Sequence, residues 1–347
     1  MRAFVLDGYG AIADHVHLVE LADPIPGPDE VGIEIHAASL NPIDFKIVHG
    51  DLKRVSKYRL PRPFGFDASG VVTAVGSRAS KFKPGDAVYV RASRDTMGTF
   101  AEQIAVGESL VALKPASISY AEAASLPLVG LTTVQMFGRA GATSGQRILI
   151  HAGSGGVGTF AVQYAKHLGL HVTSTTSSKN ADFVASLGAD RVIAYDRENY
   201  LQPDGNYDIV YDTLGGAFTV DAFKVVKRGG VVISLSGPPD RDFARRERAG
   251  LLVGIVVWLM GRKVYAASAA AGARYEWAFT ESSGDQLRDI AALVEGGAIK
   301  PVVDREFAFE QLPDALTYLE AGRARVVGRC RHRDASGRND AQRRQRN

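Results

Sequence analysis

The segment from Arg147 to Gly169, RILIHAGSGGVGTFAVQYAKHLG, constrains this chain more than any other, because it reads as a buried strand, a glycine turn and a helix in immediate succession. Ile148, Leu149 and Ile150 form the short apolar run of a parallel strand covered on both faces. Gly153, Gly155 and Gly158 follow with the spacing G-x-G-x-x-G. In that spacing the first glycine permits a tight turn, the second lets backbone N–H groups reach a pyrophosphate with no Cβ in the way, and the third lets the helix pack closely on the strand. The helix N-terminus then faces the phosphates with its partial positive charge. Downstream, strand-like runs at His171–Thr176, Arg191–Ala194, Tyr207–Asp212 and Gly230–Leu235 alternate with helical or turn segments. That is the α/β pattern of a doubly wound parallel sheet, and it favours dinucleotide binding over an empty glycine turn.

The residues after the second strand choose between dinucleotides. An NAD site places Asp or Glu about 20 residues past the glycines to hold the ribose hydroxyls, whereas a 2′-phosphate needs that acid absent and a cation nearby. Here Thr175, Thr176, Ser177 and Ser178 lead into Lys179, with no acid before Asp182. Hydroxyl donors followed by a lysine suit a phosphate dianion, so NADP(H) is favoured over a polar turn that tolerates either cofactor.

At 347 residues, with 46% hydrophobic and 23% charged residues, the chain can build two soluble domains with their own cores. The N-terminal run MRAFVLDGYG is strand-like and lacks the basic and apolar regions of a signal peptide, so a cytoplasmic protein without membrane attachment is expected. The most apolar segment, Leu251 to Met260, covers about half of the ~20 residues that span a bilayer, and is expected as a buried or interface helix. A single cysteine, Cys330, excludes an intrachain disulfide and a multi-cysteine zinc cluster. Residues 329–347 hold seven arginines and two aspartates, so the basic balance belongs to this tail and argues against a nucleic-acid surface on the folded domains.

Residues 1–120 carry short strand-like runs separated by Pro and Gly clusters, the pattern of an all-β, barrel-like domain. The run from Ala121 to Gly141 reads as helical around a break at Pro127–Gly130 and leads into the dinucleotide domain. Tyr275–Thr280 reads as a last sheet strand, and Asp285–Glu295 as an amphipathic helix with Leu287, Ile290, Ala291 and Val294 on one face. The expected domains are therefore 1–120 with 281–328, then 121–280, and a basic, mobile tail at 329–347. The apolar run 251–260 and the edge strand 275–280 are compatible with a homodimer.

This arrangement resembles the medium-chain dehydrogenase/reductase superfamily over nearly the whole chain. AGSGGVG, GFDASGVV, KPGDAVY, GTFAE, AEAASLPLVGLTT and YDTLGG are similar to the zinc-independent, zeta-crystallin-like quinone oxidoreductase branch, and SLNPIDFK and PVVDREFAFEQLPDAL to NADPH-dependent alkenal/enone oxidoreductases. The resemblance implies a GroES-like β-barrel catalytic domain beside a Rossmann cofactor domain, and hydride transfer to a small-molecule quinone or to the C=C bond of an α,β-unsaturated carbonyl. Where zinc alcohol dehydrogenases carry a cysteine ligand this chain has Asn41, and where they have Gly-His-Glu it has Gly65-Phe66-Asp67, so no metal is expected.

By the same resemblance Thr132 maps to the nicotinamide end, and Ser154, Gly155, Gly156 and Val157 to the pyrophosphate. Ser177, Ser178, Lys179 and Tyr195 map to the adenosine ribose phosphate, and Ser236 and Phe279 to strand ends near the nicotinamide. Asn41 is the residue expected nearest the nicotinamide and substrate oxygen. Asp44 and Lys46 follow as an orienting pair or as solvated charges, and Tyr58 is a candidate phenol donor. The family's closing strand reads Ala324-Arg325-Val326-Val327-Gly328-Arg329-Cys330 here, which implies a shortened or shifted strand. Two further readings remain from the sequence: an NADPH-binding protein whose arginine-rich tail recruits RNA or acidic partners, and an alcohol dehydrogenase that has lost its zinc.

Overall fold

The computed structural model describes residues 1–53, 58–201, 206–246, 251–322 and 329–331. It divides into two compact units, one formed by Met1–Pro127, Ser282–Ala291 and the chain from Val303 onward, the other by Leu128–Glu281 and Ala292–Val302. Segment 292–302 belongs with the second unit because Gln163 clamps it: its Nε2 donates to Lys300 O at 3.1 Å and its Oε1 accepts from Lys300 N at 2.9 Å.

The second unit is built on six parallel strands in the spatial order Arg191–Ala194, His171–Thr176, Arg147–Ile150, Tyr207–Asp212, Val226–Ser234, Arg274–Glu276. This is the Rossmann order 3-2-1-4-5-6, and its direction reverses between Arg147–Ile150 and Tyr207–Asp212, the crevice where open α/β sheets bind ligands. Ile148, Leu149, Ile150, Val172, Val210 and Val232 are fully buried, as apolar strands between helical layers must be. The strand expected over 275–280 is corrected to Arg274–Glu276. Its neighbour stops at Ser234, so residues beyond Glu276 have no ladder to join, and Trp277 N donates instead to Asp240 Oδ2 at 3.2 Å.

The first unit carries a seven-stranded sheet, mostly antiparallel, and a three-stranded sheet around Arg2–Leu6. Their shared core includes Phe64, Phe66, Phe100, Ile33, Ile35 and Leu40. The tail expected to begin at residue 329 is corrected: Arg329–Arg331 pair in parallel with Glu306–Ala308 and antiparallel with Ala37–Ser39. Backbone edges on both sides reward any strand that fills the gap, whatever its side-chain charge. Residues 323–328 and 332–347 lie outside the described residues.

Two helices follow the first unit's strands. Ser119 and Glu122 form a capping box on Tyr120–Ala124, and the next helix starts at Pro127, whose missing N–H costs nothing in a first turn. The helix Leu251–Ala271, expected as a buried or interface helix, is buried along one stripe only. Val257, Gly261, Val264 and Tyr265 are its buried stripe, whereas Val253, Ile255, Val256, Trp258, Leu259 and Met260 are exposed. Apolar character marked the segment as a helix to be covered, but this chain covers one side of it.

Candidate active site

The glycine corner is built by three close approaches. Ala152 takes the left-handed conformation at φ 52°, so the sharp bend falls on an alanine one residue before the first motif glycine. A Cβ at Gly153 would collide with Ser174 Oγ on the neighbouring strand, and one at Gly158 with Ala152 O. A Cβ at Gly155 would meet Ala152 O at 3.2 Å, which makes this the most open of the three. Gly153 N donates to Thr175 O at 2.9 Å and Gly155 N to Ala152 O at 2.9 Å, which leaves the helix Gly156–His167 starting with a glycine cap and no capping side chain. The first-turn N–H groups of Gly156, Val157 and Gly158 have no acceptor within the helix. With Ser154 to Val157 half-exposed, these donors and the helix dipole fit a pyrophosphate, so the residues present fit a dinucleotide.

The segment expected to meet the adenosine ribose is more crowded than its sequence implies. Ser154 Oγ accepts from Thr176 Oγ1 at 2.9 Å and from Asn180 Nδ2 at 3.2 Å, fixing the loop to the second strand. Ser177 is half-exposed, and Lys179 and Tyr195 are exposed. Ser178 is engaged elsewhere: its N and Oγ donate to the Asp196 carboxylate at 2.7 and 2.6 Å. Those two bonds hold the Asp196 carboxyl below the usual carboxylate range. An acid therefore stands beside the segment in which none was expected, contributed by the end of the next strand.

Thr132 is buried and its hydroxyl shares a 2.7 Å hydrogen bond with Thr280 Oγ1. Ser236 lies two residues past its strand, exposed, with Oγ donating to Thr213 O at 3.1 Å. Phe279 is half-buried in a ring cluster with Trp277 and Phe243 and does not end a strand.

Sequence reading missed the group that organises the switch point. Asp212, buried at its strand end, accepts from Leu214 N at 2.9 Å, Gly215 N at 3.0 Å, Thr219 Oγ1 at 2.5 Å, Ser234 Oγ at 2.7 Å and His151 Nδ1 at 3.4 Å. Burial alone would push this carboxyl up, but the hydrogen bonds outweigh it and bring it down to about 2. One carboxylate thereby ties together the ends of three adjacent strands and the Thr213–Gly216 turn.

In the first unit Asn41 caps the helix Pro42–His49 and is buried. Its N donates to Asp44 Oδ2 at 2.6 Å and its Nδ2 to Asp67 Oδ2 at 3.0 Å. Asp44 is also fully buried, which corrects the alternative of a solvated charge, and burial raises its carboxyl well above the carboxylate range. Arg91, buried on the adjoining strand, lies over the Phe66 ring at 5.3 Å and donates Nη1 to Ser282 Oγ at 2.8 Å. It interacts electrostatically with Asp67, Asp44 and Tyr58. Tyr58 is half-buried, with the Arg62 guanidinium 5.6 Å from its ring. Asn41, Asp44 and Tyr58 thus join one buried polar cluster with Asp67 and Arg91, two members that sequence reading missed. Asp67 was visible in GFDASG as a successor to an absent ligand, but nothing local paired it with Arg91.

Residues 27–116 match a family model described as the alcohol dehydrogenase GroES-like domain, and residues 187–326 match one described as a zinc-binding dehydrogenase. The chain is 36% identical over 337 residues to the 2-methylene-furan-3-one reductase of Solanum lycopersicum, covering 93% of this chain and 77% of that relative. It is 35% identical over 341 residues to the chloroplastic NADPH-dependent alkenal/one oxidoreductase of Arabidopsis thaliana, covering 93% and 78%. The quinone oxidoreductase of Coxiella burnetii superposes with a TM-score of 0.81 at 28% identity, over 96% of this chain and 99% of that one.

The residues present do not fit the zinc that the second family description implies. Asn41 offers only a neutral amide where zinc prefers thiolate or imidazole, Phe66 has no lone pair, and the Arg91 cation over the Phe66 ring would repel a divalent ion. Among the described residues no group of three or more His, Cys, Asp or Glu is arranged to hold a metal ion. Two domain models in sequence order, with relatives aligned over nearly the whole length, give a result that does not rest on the fold alone: the chain belongs to the medium-chain dehydrogenase/reductase superfamily, in its quinone oxidoreductase branch.

Proposed function

We propose that this protein is an NADPH-dependent, zinc-independent oxidoreductase acting on quinones or on the C=C bond of α,β-unsaturated carbonyls. The observation that carries the reading is the glycine cradle at the switch point of a 3-2-1-4-5-6 sheet, in a chain whose zinc-ligand positions hold Asn41 and Phe66. The names of the relatives from Solanum lycopersicum and Arabidopsis thaliana support the substrate class and, for the second, the cofactor.

NADPH, when bound, supplies the hydride. Gly153 and Gly158 let strand, turn and helix close on one another, Gly155 would leave the pyrophosphate's approach free of a side chain, and the N–H groups of Gly156 and Val157 would hold it. Ser177 and Lys179 would meet the 2′-phosphate, Tyr195 would cover the adenosine end, and Thr132 and Ser236 would bound the nicotinamide end. Asp212 keeps that end rigid by fixing the Thr213–Gly216 turn. Asn41 Nδ2 keeps one N–H beyond the bond to Asp67 and offers it to the substrate oxygen, where negative charge accumulates as the β-carbon is reduced. Asp44, its carboxyl raised well above the usual carboxylate range by burial, holds the Asn41 backbone. The enolate takes its proton from water, with Tyr58 as a secondary donor. The compartment proposed is the cytoplasm, and dimerisation is proposed as the assembly state.

Kinetics with one enone and one quinone at saturating NADPH test these roles. Asn41→Ala is expected to lower kcat by about 10²-fold or less, the loss of one oxyanion donor, and Tyr58→Phe by less again. Unchanged kcat in Asn41→Ala would remove Asn41 from the site. Loss of enone reduction alone in Tyr58→Phe would make Tyr58 a dedicated proton donor.

A further inference from the structure

The helix Leu251–Ala271 is anchored along one stripe and bare along the rest. Tyr265 Oη donates to Pro239 O at 2.7 Å, and Val257 and Val264 are buried with it. At about 100° per residue the exposed Val253, Ile255, Val256, Trp258, Leu259 and Met260 sweep the remaining circumference of its first turns. Met260 is 64% exposed and Trp258 54%, and unlike the lone Ile25 at 90% they sit together with Val253, Ile255, Val256 and Leu259. A contiguous apolar face of this kind marks an interaction site.

Charge identifies the occupant. Between Arg248 and Tyr275 the sequence contains no acidic residue. Arg262 and Lys263 continue the bare face on its C-terminal side, and Arg241 and Arg245 stand exposed before the helix. Asp242 offsets Arg245, at 2.9 Å. The helix Leu251–Ala271 itself carries no carboxylate to offset these cations. The nineteen-residue stretch Val253–Ala271 has a mean hydropathy of 1.2, and its anchored stripe keeps one side of it on the protein. An apolar face edged by Arg and Lys, with a tryptophan in it, fits the boundary between acyl chains and anionic headgroups.

We propose that the outward face of this helix seats the protein on an anionic lipid bilayer, lying in the plane of the interface. The proposal stands independently of the reaction assigned above.

The chain has two tryptophans, so the full-length Trp277→Phe protein reports on Trp258 alone. With vesicles of mixed phosphatidylglycerol and phosphatidylcholine, Trp258 emission is expected to shift to the blue and to be quenched by brominated acyl chains. Pure phosphatidylcholine is expected to give a much smaller effect. Val256→Asp with Leu259→Asp is expected to reduce the vesicle-bound fraction by about tenfold or more while leaving the circular dichroism and thermal midpoint unchanged. Vesicle binding with solvent-like Trp258 emission would overturn the proposal and assign the attraction to the arginine-rich C-terminal residues. A dimer whose Trp258 is already shielded, ignores vesicles and dissociates in the double variant would overturn it in favour of a second copy. No response to vesicles in a monomer would overturn it outright.

Discussion

On the proposed reading, Asp196 and Lys179 set opposite charges where the adenosine would lie, and their balance would govern the choice of cofactor. Lys179→Ala is expected to raise the KM for NADPH more than that for NADH, removing roughly ten- to a hundredfold of discrimination, the worth of one charge-assisted contact. Asp196→Asn is expected to move the ratio the other way, because the carboxylate beside Ser178 repels a 2′-phosphate. Equal effects on both cofactors would refute the assignment. In the first unit, Arg91→Met leaves Asp67 without its buried counter-charge and is expected to lower the unfolding free energy by about 3–5 kcal/mol in denaturant titration. Asp44 behaves differently because its folded-state carboxyl is raised: above that value burial costs stability, and the cost disappears as pH falls towards the unfolded value. Asp44→Asn keeps an acceptor for Asn41 N, so near neutral pH its thermal midpoint is expected to equal or exceed that of the parent. A large fall would mean that Asp44 is ionised. The glycines were legible in the sequence by their spacing; the approaches of Gly155 and Gly158 to Ala152 O are local, whereas that of Gly153 is to Ser174 on the neighbouring strand. Asn41 with Asp67 and His151 with Asp212 were not legible, because 26 and 61 residues separate the partners and only the sheet brings them together.

The strands His171–Thr176, Arg191–Ala194 and Tyr207–Asp212 lie where the strand-like runs put them; the first and last are largely buried, whereas Arg191–Ala194, at the sheet edge, is only partly covered. The last sheet strand fell short of Thr280 because composition carries no record of where a neighbouring strand stops. The closing strand was illegible for a related reason: Arg329–Arg331 has no apolar alternation, and its stability comes from backbone pairing on both sides. Truncation after Gly328 is therefore expected to lower the unfolding free energy by roughly 2–4 kcal/mol, from the unpaired edges at Ala37–Ser39 and Glu306–Ala308. A chain ending after Arg331 is expected to retain the parent's stability. Equal stability of the two truncations would show that the strand contributes nothing.

For the molecule as a whole, sequence order and motif content determined the two-domain architecture, because each domain carries its own punctuation: Pro and Gly clusters in the first, one glycine corner in the second. The cofactor cradle was equally legible, whereas the buried cluster of Asn41, Asp44, Asp67 and Arg91 emerged only in three dimensions. That cluster supports the central claim, hydride transfer without a metal, since it fills the zinc-ligand positions with an amide and an aromatic ring and covers the latter with a cation. The most direct measurement is NADPH oxidation by the purified full-length protein with a panel of enones, enals and quinones, before and after exhaustive chelation, with metal content determined on the same sample. Turnover on at least one of these classes, unchanged by chelation and without stoichiometric zinc, is the predicted result. Stoichiometric zinc with chelator-sensitive, alcohol-dependent NADP+ reduction and no turnover on the panel would contradict it.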